Sequence, residues 1–113
     1  MDLILCRNYG MLSEDRTFQY RGVLTLRKSR VINAPDRPVD DVVNWLFLRA
    51  GDVQFSFVYK IERPDGAEYG IPFSAHVAFT ATEHVQEILL LDKVYEVLRG
   101  EELIGKIVLA EKL

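Results

Sequence analysis

A chain of 113 residues, 49% hydrophobic and 27% charged, can close one hydrophobic core but not two, and is neither a disordered tail nor a fibrous repeat. Its net charge of -3 argues against a protein living on nucleic acid or on an anionic membrane, and no apolar run approaches the roughly 20 residues that span a bilayer. The start, MDLILCRNYG, carries Asp2 and only a short apolar stretch, unlike a signal peptide, and the lone Cys6 cannot form an intrachain disulfide; the location this predicts is the cytoplasm.

In chain order, Leu3-Ile4-Leu5-Cys6 reads as a short buried strand and Tyr9-Gly10 with Ser13-Glu14-Asp15 as a loop. From Thr17 the pattern alternates, with Phe18, Tyr20, Leu24 and Leu26 against Gln19, Arg21, Thr25 and Arg27. Gly22 interrupts it as a bulge or a close approach would. Val31-Ile32 begins a further short apolar piece, and Asn33–Pro38 breaks the pattern. The spacing of Val39, Val42, Val43, Leu46, Phe47 and Ala50 at three- and four-residue steps then predicts one helix near 38–50. Pro38 would sit in its first turn, Asp40 and Asp41 at its N-terminal dipole, Arg49 in its last turn and Gly51 at its close. A buried strand through Val42–Leu48 is the competing reading.

Strand period returns with Val53, Phe55, Phe57 and Tyr59. Arg63-Pro64-Asp65-Gly66 predicts a turn, since Asp-Gly accepts positive φ. Phe73, Ala75, Val77 and Phe79 face one way on the next strand, Thr82–Gln86 is a polar connection, and a final hairpin runs Lys93–Arg99, turn at Gly100-Glu101-Glu102, Leu103–Leu109. The fold class predicted is mainly β: one domain over 1–113, a small closed or partly closed antiparallel, Greek-key-like barrel of six to seven strands with the helix near 38–50.

Chemistry-bearing patterns are sparse. Cys6, Ser56, Ser74, His76 and His84 sit in no nucleophile signature, and one Cys with two His does not give a metal-ligand spacing. There is no GxxxxGK[ST] phosphate loop. Glu14-Asp15, Asp40-Asp41 and Glu101-Glu102 fall at turns or the predicted helix start, where acids belong for local reasons. The aromatics Phe55, Phe57, Tyr59, Phe73 and Phe79 read as core instead of a base-stacking platform. No enzyme, metal or cofactor is predicted. The feature left over is a run of five cations without an acid, Arg16, Arg21, Arg27, Lys28 and Arg30, a candidate partner-binding strip. Residues 50–113 by contrast hold six Lys/Arg against eleven Asp/Glu.

Ala78–His84, then Ile88–Lys93, then Val94–Val108, with Leu103-Ile104-Gly105-Lys106-Ile107-Val108 as the second strand of the hairpin and Gly100 at its turn, resembles the C-terminal β-barrel of elongation factor Tu-type translational GTPases. The resemblance covers about residues 73–110. The family's second glycine is Ile107 here, and its Arg-Glu-Gly turn is Leu98-Arg99-Gly100. The resemblance implies a barrel fold and a translation-linked binding surface, without the GTPase domain or the middle barrel. The function predicted is a non-catalytic binding module docking on a protein, or on RNA against the net charge, and not on a membrane. The alternative is a small acidic inhibitor or immunity protein covering a basic toxin through Glu83, Glu87, Asp92, Glu96, Glu101 and Glu102.

Overall fold

The computed structural model describes residues 17–31, 33–80 and 85–113. The expectations at Leu3–Cys6, the Tyr9–Asp15 loop, Arg16, Ile32 and Ala81–His84 lie outside them. Six strands form a closed antiparallel barrel: β1 (Tyr20–Leu26), β2 (Asp41–Ala50), β3 (Val53–Ile61), β4 (Phe73–Phe79), β5 (Val94–Arg99) and β6 (Glu102–Lys112). Around the barrel the order is β1-β4-β3-β2-β5-β6, and β6 closes on β1. Three consecutive antiparallel neighbours, β2, β3 and β4, with β1 returning beside β4, make this a Greek-key arrangement.

Period-two alternation supplies the dry interior. Tyr20, Leu24 and Leu26 of β1, Phe55, Phe57 and Tyr59 of β3, and Phe73, Ala75, Val77 and Phe79 of β4 all enter the core. Phe79 gathers Tyr20, Phe55 and Phe57 at centroid distances of 5.8, 6.1 and 6.0 Å, while Tyr59 meets Phe73 at 6.1 Å, so the aromatics are core packing. Val58 and Ala78, paired across β3 and β4, alternate with core residues and so point outward, yet both are buried. The outer wall therefore has a dry patch of its own.

Three register shifts bend the strands. One falls at Arg21/Gly22 against β6, where the sequence marks Gly22; a Cβ there would sit 3.2 Å from the Val108 carbonyl oxygen and 3.3 Å from a Val77 methyl. A second falls at Val97/Leu98 against β6. The third lies in β2 and overturns the helix predicted near 38–50. Asp41 pairs with Tyr59 and Leu46 with Phe57, so β2 advances five residues while β3 advances two. Those extra residues shift the phase of a period-two pattern and convert it into three- and four-residue steps, which imitate a helix.

The residues assigned to helix ends have strand roles instead. Gly51, at φ 62°, opens the two-residue turn between Ala50 and Val53. The Asp40 carboxylate accepts the Ile61 N–H at 2.8 Å, and Arg49 reaches Glu96 on β5. Likewise Asp65-Gly66 does not turn at positive φ: Pro64–Gly66 is a 3-10 turn and Gly70 takes the positive φ, 83°. The polar connection ends in a single helical turn, Val85–Ile88.

Candidate functional site

The predicted basic strip does not assemble as an open cationic ridge. Arg21, on the outer wall of β1, places Nε 2.8 Å from Glu62 Oε2 and Nη1 3.5 Å from Glu111 Oε2. Arg27 lies 3.1 Å from Glu102, and Lys28 lies 3.1 Å from Asp36. Arg30 contributes its backbone N–H, which donates to Glu102 Oε2 at 2.8 Å while the Ser29 hydroxyl donates to Oε1 at 2.7 Å. Arg16 lies outside the described residues. The Arg30 N–H, the Ser29 hydroxyl and Arg27 together hold the Glu102 carboxyl below the usual glutamate value. Hydrogen bonding from Arg21 does the same for Glu62. The run is acid-free in sequence, but the fold brings acids to it from β6 and from the segments around residues 36 and 62.

Of the candidate nucleophiles and bases, Cys6 and His84 lie outside the described residues. His76 faces outward from β4, with Nε2 3.1 Å from Glu62 and its ring 6.2 Å from that of Phe18. Ser74 takes an Arg21 contact at 3.4 Å, and Ser56 lies 3.4 Å from the Thr80 hydroxyl. These are polar contacts on the barrel wall, not a nucleophile held by a base. Among the described residues no three His, Cys, Asp or Glu side chains group as metal ligands would, and no helix is long and apolar enough to cross a membrane. The carboxylates of the inhibitor reading are divided: Glu96 holds Arg49, Glu102 holds the end of β1, and Glu83 lies outside the described residues.

Two concavities that sequence patterning does not reveal stand out. The first, about 250 Å³, opens at one end of the barrel and includes Asp40, Asp41, Tyr59, Tyr69 and Arg99 among its lining, with Pro35, Pro38 and Val39 from the loop entering β2. Asp41 and Tyr59 are buried. Burial, reinforced by the Asp41 charge, raises the Tyr59 phenol far above its ordinary value and keeps it a neutral hydrogen-bonding group. The Tyr69 hydroxyl donates to the Pro35 carbonyl at 2.9 Å, and Arg37 donates to the Ala67 carbonyl at 3.3 Å, so the wall is tied down at both ends.

The second concavity, about 460 Å³, runs along the outer wall between β1, β5 and β6. Val94 and Leu103 border it at 58% and 44% exposure. Its lining includes Gly105, paired with Leu26 of β1, where a Cβ would lie 2.1 Å from the Thr25 carbonyl oxygen. Arg27 and Glu96, which the sequence offers as candidate contact residues, line this groove as well. No family model, no curated protein and no solved structure matches the chain.

Proposed function

We propose that the chain is a non-catalytic binding module whose partner is a protein, docking on the outer wall of the barrel at β5 and β6. The observation that carries this reading is the apolar groove bordered by Val94 and Leu103, two large side chains left in water on a strand wall where neighbouring positions are polar. Among the described residues every strand is paired on both sides, so a partner meets side chains and not a free strand edge. A protein is favoured over RNA because three cations of the strip, Arg21, Arg27 and Lys28, already face carboxylates. The resemblance to the translation-factor barrel supports the same class of work, recognition by a small barrel, in a reducing cytoplasm.

A photo-crosslinking residue at Leu103 should yield a discrete protein adduct in cells, and the same residue at exposed Gln54 on β3 should not. Adducts equal at both positions, or absent at Leu103, would overturn the reading. On immobilised tRNA at low salt no retention is expected; salt-sensitive retention would favour RNA instead.

A further inference from the structure

Where β1, β6 and β5 run side by side, strand register orders the outer wall into lines that cross the strands. Val23, Val108 and Val94 alternate with core residues and so point outward, and pairing sets them abreast, Val23 and Val108 half-buried and Val94 exposed. Two residues along, Thr25, Lys106 and Glu96 stand abreast in the same way. Beyond them Leu103 of β6 pairs with Leu98 of β5. The wall is therefore apolar, polar and apolar in turn, and the groove between Val94 and Leu103 lies over the polar line. Val94 and Leu98 are four residues apart on β5, about 13 Å, which admits an α-helix about 10–12 Å across. The helix pitch of about 5.4 Å also nearly matches the strand spacing of roughly 4.8 Å, so a helix laid along the groove sets one turn over each strand. Strand addition, by contrast, needs a free edge that the paired strands do not offer. Charge narrows the fit. Of the charged groups lining the groove, Glu96 is held by Arg49 and Arg27 by Glu102. Lys106, exposed at the middle of the groove, has no ion-pair or hydrogen-bond partner among the described residues. A helix seated there takes that ammonium partly out of water, which favours a carboxylate opposite it.

We propose that the partner presents an amphipathic α-helix laid across β1, β6 and β5, with aliphatic side chains on its flanks for the Val94 and Leu103 lines and a carboxylate between them for Lys106. This inference rests on the docking reading above and gives it a partner chemistry.

The test is titration of the whole, isotope-labelled chain at low salt, followed by amide chemical shifts. The probes are a side-chain-stapled helical peptide with leucines along one face and a central glutamate among them, its twin with lysine for the glutamate, and an unstapled version broken by a central proline. The glutamate helix should shift the amides of Val23, Lys106, Val108 and Val94 together. The lysine twin should bind about tenfold more weakly, and the proline version should be silent. Lys106→Glu, at an exposed position that leaves the core untouched, should reverse the order of the two helices. Equal binding of the two helices, silence with both, binding of the proline version, or an unchanged order in Lys106→Glu would each overturn the proposal. A crosslinked adduct at Leu103 with both helices silent would remove the helix and leave docking at β5 and β6 standing; no adduct at Leu103 would remove the docking reading and this inference with it.

Discussion

Gly105 is the residue whose replacement the fold tolerates least. Leu26 and Gly105 are paired, and an added Cβ would also lie 3.0 Å from the Leu26 Cα, so backbone must move against backbone. Gly105→Ala should cost about 3 kcal/mol or leave the chain unfolded, read as the urea midpoint; a cost below about 0.5 kcal/mol would mean that β1 and β6 do not pair this closely. Val97 and Ile104, on the two strands of the final hairpin, are both buried; Val97 pairs with Gly105, and Ile104 is the extra residue of the bulge. Each should lose about 2–4 kcal/mol on truncation to Ala, against less than about 0.5 kcal/mol for Glu101→Gln at the exposed turn. Glu102 adds a pH dependence. Its carboxyl titrates below the unfolded value, so its contribution is complete above about pH 4.3 and disappears as pH falls through the folded value. Urea midpoints measured from neutral pH downward should therefore fall less steeply below about pH 4.3 for Glu102→Gln than for the parent.

The elements show how one residue type can serve opposite structures. Gly51 fits the end of a helix and the first position of a two-residue hairpin turn equally well, because both need the same positive φ. Gly100, also at φ 62°, opens the matching turn between Arg99 and Glu102. Neither position meets a neighbour within 4 Å of an added Cβ, so Gly51→Ala and Gly100→Ala isolate the backbone term and should each cost about 1–2 kcal/mol in thermal or urea unfolding. The bulge in β2 acts at the same scale. It carries the strand from Asp41, at the cleft, to Leu46 and Leu48, in the core, and so lets one strand serve the polar mouth and the dry interior.

The whole molecule closes by pairing its first described strand with its last, Tyr20 against Lys112 through Leu26 against Gly105. Closure waits on contacts far apart in sequence, so refolding should be slow, on the order of milliseconds to seconds, in a stopped-flow denaturant jump. A microsecond phase with full amplitude would mean that the native pairing of β1 and β6 is not part of the barrier.

Much of this was legible in the chain itself. Alternation in Tyr20–Leu26, Val53–Tyr59 and Phe73–Phe79 depends only on neighbours two residues apart, and a dry face of that period has to be covered by another strand, so a mainly β fold followed directly. Gly22 announced a bulge or a close approach and Gly100 a turn, because glycine meets those backbone conditions at low cost. Other features depended on which strands become neighbours. The pairing of β2 against β3 decided that residues 41–50 are a bulged strand, since a bulge is defined by the partner's count as well as the strand's own. The fates of Arg21, Arg27 and Lys28 were decided by Glu62, Glu111, Glu102 and Asp36. The cleft joins Asp41, Tyr59, Tyr69 and Arg99 from four separate stretches of chain. Local periodicity carries no information about such meetings, because charge pairing and concavity arise only when the barrel closes.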